Sequence, residues 1–335
     1  MNALPHRVSP SLTLSRREAI RNFGLAGAGI FLGTRMLRGE AALNPALSLA
    51  GTQPGYYRIQ IGEVEAVVLN DGGFAVPTDQ APFGIGETVD AKRHALDEAY
   101  LNPDVVRMTI NNLLLRMGGE LILVDAGAGT VFGPAGGHLI ANLRAIGVSP
   151  AAITGIVLTH LHGDHFGGLL DGEGHPSFPN AKLFIHQREH AFWSGSEADS
   201  LDAATVAGAR KYLNAFEGKW EKVSGGDRPV PGLEIVEAFG HTPGHIAIRV
   251  ESGNEQLYHM VDTVHHHALS FSHPEWKLQW DVDQNLAIET RKRFLDQASE
   301  DRTRVLGTHM PFPSLGRIRK SGAAYEYLME PWVSA

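Results

Sequence analysis

From Tyr56 onward, apolar and polar residues alternate in short runs. YYRIQIGEVEAVVLNDGG predicts two strands, Tyr57–Ile61 and Val64–Leu69, joined by a Gly-Glu turn. Residues 77–108 are broken by Pro, Asp and Gly and predict a surface segment with one short helix near Lys92–Tyr100. A second hairpin, Asn111–Arg116 and Leu121–Asp125, turns at Gly118-Gly119. His138–Ile146 predicts a helix ended by Gly147. Further strands are expected at Gly155–Leu158, Lys182–His186, Leu233–Ala238, Ala247–Glu251, Leu257–Val261 and Arg304–Gly307. Helices are expected at Gln187–Trp193, Asp199–Phe216 and Asp283–Ala298. Strand hairpins followed by helices occur twice, with no sequence repeat and no clear linker after residue 51. One α/β domain with two sheets and helices outside is the simplest architecture.

The strand Gly155–Leu158 runs directly into THLHGDHFGG, Thr159–Gly168. His160, His162, Asp164 and His165 fall within six residues. On a helix they would point at about 0°, 200°, 40° and 140°, which do not converge. Gly163, Gly167 and Gly168 also disfavour a helix. On an extended loop His160 and His162 share one side, and a sharp turn at Gly163 brings Asp164 and His165 to a second point. This geometry suits two adjacent metals with two ligands each. The remaining ligands must come from afar, because each metal needs four or more. Candidates at the ends of expected strands are His241 and His245 in FGHTPGH, Asp262 in YHMVDT and His309 in LGTHMP.

THLHGDH resembles the H-x-H-x-D-H signature of the metallo-β-lactamase superfamily, and GHTPGH, Asp262 and GTH fit its remaining motifs. Within that superfamily the chain is most similar to methyl parathion hydrolase-like enzymes and their lactonase relatives, through PGYYRIQIGEVEAVVLNDG, LILVDAGAG with FGP, HTPGH and FPSLGRIR. The resemblance implies an αββα sandwich with a dinuclear site on one edge. It assigns His160, His162 and His241 to one metal, Asp164, His165 and His309 to the other, and Asp262 to both. Spacing alone does not choose between His241 and His245; the family motif favours His241 and leaves His245 as a packed, hydrogen-bonded histidine. Asp125 is expected to hold the ligand loop by hydrogen bonds. His and carboxylate ligands suit Zn(II) first, with Mn, Co or Fe(II) also suited. Two such cations sharing a water lower its pKa to about 7 and provide a hydroxide nucleophile. Asp164 is then both ligand and proton handler, and Asp262 the shared catalytic carboxylate.

A substrate pocket must come from loops. Phe132, Trp193, Phe271 and Trp280 are its expected aromatic residues, with Trp276 beside them. His265 opens the run HHH, with His266 and His267, and either faces the substrate or sits on a solvated loop. His186 and His190 are spaced to cap and line a helix near the site. An apolar pocket above a dimetal site suits a neutral hydrophobic lactone, such as an acyl-homoserine lactone, or an aryl ester; it suits a phosphotriester too. A non-catalytic metal- or ligand-binding module on the same fold is the alternative of another class.

Composition narrows this further. The 335 residues are 43% hydrophobic and 20% charged, which suits a globular chain. No cysteine is present, so no thiolate competes for metal. A net charge of −8 with no long basic run excludes nucleic acid as the main partner. SRREAIRNFGLAGAGIFLG, residues 15–33, has the layout of a twin-arginine export signal, so residues 1–50 are expected to be signal and linker and residues 51–335 the hydrolase domain. The run is interrupted by Arg35 and Arg38, too short for a stable membrane anchor. Its removal leaves 23 basic and 35 acidic residues, a formal charge of −12. The expected location is periplasmic or secreted, and the resemblance implies a homodimer.

Overall fold

The structure is a computed structural model that describes residues 54–332. The expected export signal at 1–50 lies outside the described residues. The first sheet holds seven strands in chain order: β1 (Tyr56–Ile61), β2 (Val64–Pro77), β3 (Val105–Met117), β4 (Glu120–Val124), β5 (Gly155–Leu158), β6 (Lys182–His186) and β7 (Trp220–Val223). The second holds β8 (Leu233–Glu237), β9 (Ile246–Ser252), β10 (Glu255–Val261), β11 (Arg304–Gly307), β12 (Leu315–Ser321) and β13 (Ala324–Met329). Strands β4 to β7 pair in parallel, as do β10 and β11; every other pairing is antiparallel.

The core explains the layering. Val68, Leu113, Val124 and Val157 of the first sheet meet Ile235, Ile248, Leu257 and Leu306 of the second. Their neighbours in sequence point the other way, as a pleat requires. Thus Leu114, Leu123, Ile156 and Leu158 pack beneath α2 (Leu139–Ala145), α4 (Gln187–Ser194) and α5 (Ala203–Ala215). Short helices α1 (Val89–Glu98), α3 (Gly163–Phe166) and α6 (Leu269–Ser272) complete the set before the long α7 (Gln284–Glu300). Phe271 of α6 and Phe294 and Leu295 of α7 cover the outer face of the second sheet. The result is the expected αββα sandwich. All four residues of β5 are buried because both its faces are covered.

Four local differences from the sequence expectation have physical causes. Strands β2 and β3 extend through Pro77 and back to Val105, beyond the limits expected at Leu69 and Asn111 and across Asn70-Asp71-Gly72-Gly73. A register shift between Asn70 and Gly72 absorbs that sequence without ending the ladder. Gly72 is required there: at φ 121° a Cβ would lie 2.1 Å from the Ala135 carbonyl oxygen. The helix expected over Asp199–Phe216 divides into a 3-10 turn at Ser196–Ser200 and α5, whose first turn is capped by Asp202 accepting from the Thr205 amide at 2.9 Å. Strands β7 and β12 escaped the hydrophobic pattern because charged, solvent-facing residues interrupt it, while β13 (AYEYLM), though mostly apolar, is a sheet edge in which Tyr325 alone is buried. Finally, the sharp turn expected at Gly163 takes the form of one helical turn over residues 163–166, although the glycines there disfavour a helix. Among the described residues no helix is long and apolar enough to cross a membrane.

Candidate metal centre

The C-terminal ends of β4, β5, β10 and β11 open on one edge of the sandwich. β5 continues extended through His162 (φ −101°, ψ 153°), so His160 and His162 share a side while Leu161 enters the core. The single turn of α3 then presents Asp164 and His165. It is too short to suffer the divergence of a full helix. His241 follows β8, Asp262 follows β10 and His309 follows β11.

These side chains converge. Asp262 Oδ2 lies 3.7 Å from His160 Nε2, 3.4 Å from His165 Nε2, 3.4 Å from His241 Nε2 and 3.2 Å from His309 Nε2. His162 Nδ1 lies 3.1 Å from His160 Nε2 and 2.9 Å from His241 Nε2. Asp164 Oδ2 lies 3.6 Å from His165 Nε2 and 3.4 Å from His309 Nε2. Two groups with no residue in common emerge, His160 with His162 and His241, and Asp164 with His165 and His309; His265 also groups with His241 and Asp262. His160 and His165 with Asp262 span the two.

The donor set fits a pair of divalent cations. The centre is buried, yet His165 Nε2 and Asp262 Oδ1 have no hydrogen-bond partner. Orphaned buried polar atoms are costly, and a cation removes the cost. The outward nitrogens fix which atom is free. His165 Nδ1 donates to Asp125 at 2.8 Å, His241 Nδ1 to Asp281 at 2.8 Å and His309 Nδ1 to the Thr109 carbonyl at 2.8 Å. Each Nε2 therefore faces the cluster as the nitrogen left to bind a metal. Burial first, and then neighbouring histidines, hold His160, His162 and His241 well below the ordinary imidazole range, in the neutral form that binds metal. Burial acts the same way on His165 and His309, but the carboxylates led by Asp262 outweigh it and raise both. Asp262 itself is held well below its usual range, because His309, His165 and His265 overcome its burial.

His245 has both nitrogens engaged: Nδ1 donates to the Ala238 carbonyl at 2.8 Å, and Nε2 accepts from the Asp262 amide at 3.3 Å. Burial lowers it to about 4, and no lone pair remains for a metal. Asp125 accepts from the Thr159 amide at 2.8 Å and the Thr159 hydroxyl at 2.9 Å, so it ties the ligand loop to the end of β4.

The centre floors a cavity of about 500 Å³. Phe132 and Trp280 line it, as expected; so do Phe74, Val76 and Leu201, which the sequence did not single out. Phe74 stacks on Phe132 at 5.4 Å and meets Trp280 edge-on at 6.0 Å. It sits on the part of β2 beyond the expected strand end at Leu69.

The other expected pocket residues lie elsewhere. Trp193 is fully buried on α4, its indole N–H on Glu189 at 2.7 Å and its ring edge on His162, so it backs the site instead of lining it. Phe271 is 1% exposed and packs in the core beneath the second sheet, because the apolar face of α6 turns inward. His265 is neither solvated nor at the cavity wall. It is buried, stacks on His309 at 5.4 Å and brings Nε2 to 3.2 Å from Asp262. His266 accepts from the Ala268 and Leu269 amides at the start of α6, and His267 stacks on it. His186 caps α4 by accepting from the Arg188 amide, while His190 is not brought to the cluster. Trp276 stacks on His273.

Two buried carboxylates gave no sequence signal. Asp281 binds His241 on one oxygen and Arg291 on the other at 3.3 Å, and burial pushes it up to about 6. Glu189 accepts four hydrogen bonds within the site's support. Neither belongs to a spaced motif; only the folded chain brings them to the ligands.

The comparisons agree with the geometry. The sequence profile of the metallo-beta-lactamase superfamily matches residues 106–309, which include every side chain of the two groups. A probable metallo-hydrolase of Mycobacterium tuberculosis is 25% identical over 222 residues, 56% of this chain and 66% of its own length. The chain therefore spans slightly under two thirds of that relative. An N-acyl homoserine lactonase of a Bacillus species is 27% identical over 115 residues, 34% of this chain and 40% of its own. Among solved structures, the dizinc quorum-quenching lactonase AidC, in complex with a homoserine product, superposes with a TM-score of 0.78 at 29% identity, covering 84% of this chain and 99% of its own. AbOPH, a hydrolase of the beta-lactamase superfamily, gives 0.78 at 27% identity over 85% and 100%. The fold, the clustered donors and the matched profile together place this chain in the metallo-beta-lactamase superfamily.

Proposed function

We propose that the protein is a dinuclear metal-dependent hydrolase whose main substrate is a hydrophobic lactone, such as an acyl-homoserine lactone, or an aryl ester. The observation that carries this reading is the cavity: its wall is Phe74, Phe132 and Trp280, its floor is the donor cluster, and among the described residues no Lys or Arg lines it. Such a site favours a neutral, apolar molecule over an anion. In this reading His160, His162 and His241 hold one cation, Asp164, His165 and His309 the other, and Asp262 both. Two divalent cations, zinc foremost, supply Lewis acidity there and lower the pKa of water to about 7. The aromatic wall seats the acyl or aryl group and excludes water around it. The Asp164 carboxylate, which also lines the cavity, takes a proton from the attacking water and passes it toward the leaving oxygen. Likeness to the dizinc lactonase supports the substrate class. Export through the twin-arginine signal, and dimer formation, belong to the same reading.

The test is kcat/KM of the metal-loaded protein on an acyl-homoserine lactone and on a dialkyl aryl phosphotriester, side by side. The lactone is expected to lead by about 10²-fold or more, the scale of discrimination by contacts that one substrate makes and the other lacks. A triester lead establishes the second reading, organophosphate hydrolysis. Two bound metals without turnover of either, or of aryl esters, would leave a binding module. Replacing Arg16 and Arg17 by Lys is expected to keep the protein out of the periplasmic fraction.

A further inference from the structure

We infer that Glu189 is a positioning residue for one of the two cation sites, the three-histidine one, and plays no part in holding the other. This inference rests on the dinuclear reading above.

Glu189 lies on α4, fully buried, and touches no ligand side chain in any hydrogen bond. What it holds is backbone beside ligands. Oε1 accepts from the Leu161 amide at 2.9 Å, the residue between His160 and His162. Oε2 accepts from the Thr242 hydroxyl at 2.6 Å and the Gly244 amide at 2.9 Å, directly after His241. The Trp193 indole fills the remaining position on Oε1 at 2.7 Å. One carboxylate thus joins two loops, from different sheets and 80 residues apart, that carry all three histidines of one group. The approach is close: a Cβ on Gly244 would stand 2.1 Å from the Glu189 amide nitrogen. Only glycine lets the His241 loop lie against the first turn of α4.

The second group has separate supports. Asp125 accepts from His165 Nδ1, and the Thr109 carbonyl accepts from His309 Nδ1; Asp125 also reaches the first group, because the Thr159 hydroxyl it holds lies 3.1 Å from His160 Nδ1. None of these touches Glu189. Loss of Glu189 therefore frees the relative position of His162 and His241 while leaving that of His165 and His309. A generic packing residue would loosen both sites together.

The experiment uses the full chain, stripped by a chelator and titrated with zinc against a chromophoric competitor. Cadmium NMR then identifies which site is filled, since the donor set with three nitrogens and the one with two resonate apart. Wild type is expected to take two cations. Glu189→Gln is expected to weaken the nitrogen-rich site by about 10–100-fold, the range for lost ligand-supporting partners, with the other within about twofold. Asp125→Asn, which loses the bond to His165 and loosens Thr159 beside His160, is expected to weaken both sites and so serves as the non-selective control. Should Glu189→Gln not fold, Thr242→Val removes one of the four bonds and is expected to weaken the same site by a smaller factor. Two unaffected sites in Glu189→Gln, or two sites weakened equally, when wild type binds two cations, overturn the inference alone. Wild-type uptake of fewer than two overturns the dinuclear reading, and the inference with it.

Discussion

The two sheets supply the metal centre in opposite ways. The first delivers His160, His162, Asp164 and His165 from one short loop after β5. The second delivers His241, Asp262 and His309 from the ends of three strands, spread over nearly 70 residues. The first half is a local conformation: an extended run followed by one helical turn. The second half exists only when β8, β10 and β11 are assembled in the sheet. Asp262 is where the contrast breaks down, since it leaves the second sheet yet touches His160 and His165 of the first.

Removing that link is the most severe way to test the comparison. Asp262→Ala is expected to lower kcat/KM by about 10²–10⁴-fold, the range for a positioned electrostatic or acid-base group, and to reduce the affinity for both cations. An active Asp262→Ala enzyme would refute the shared-carboxylate account. Next in size is the pair His241→Ala and His245→Ala, neighbours on one loop. The first is expected to empty or weaken one cation site with a comparable loss of turnover. The second is expected to keep two cations and lower stability by about 1–3 kcal/mol, the cost of leaving the Asp262 amide and the Ala238 carbonyl unmet. Metal analysis and denaturant unfolding separate the two; the reverse pattern would exchange their roles.

The aromatic residues sharpen the same contrast between edge and interior. Trp193→Ala and Phe271→Ala are expected to cost about 3–5 kcal/mol in unfolding free energy, because both side chains are buried. Phe132→Ala and Trp280→Ala, each 36% exposed, are expected to raise KM for long-chain substrates while shifting Tm little. A Phe271→Ala protein of wild-type Tm, or a Phe132→Ala enzyme of wild-type KM, would count against that division.

The smallest expected effect concerns His259, a core histidine on β10 that burial lowers to about 3. The unfolded chain protonates it near 6.5, so below that pH the unfolded state binds the extra proton and stability falls as pH falls. In the metal-free protein, His259→Met is expected to flatten the decline between pH 6.5 and 4 by up to about 1.4 kcal/mol per pH unit. Unfolding free energy measured against pH in both proteins checks it, and equal slopes would mean that His259 is not neutral in the fold.

Much of this was legible early for a physical reason. Short strands such as β5, β6 and β11 are apolar runs with sharp boundaries, and their limits match the sequence expectation residue for residue. Strands interrupted by charged, solvent-facing residues carry no such pattern, so β7 and β12 were invisible, and β13 was missed as an apolar edge strand without alternation. Phe74 was missed because a bulge let β2 continue through a sequence that ordinarily turns. Phe271 misled because an aromatic beside a loop looks alike whether its helix turns outward or inward. Trp193 misled for the same reason, and its indole N–H went to Glu189 instead of a ligand.

The sequence alone determined the crowded donors of Thr159–Gly168, the strand that delivers them, the absence of thiolates and the acidic balance, since each is a matter of neighbours along the chain. Tertiary structure alone decided that His245 is saturated, that His265 lies against Asp262, and that Glu189 and Asp281 hold the histidines from behind. Hydrogen bonds and burial across tens of residues depend on which strand ends meet, and side-chain spacing does not encode that meeting.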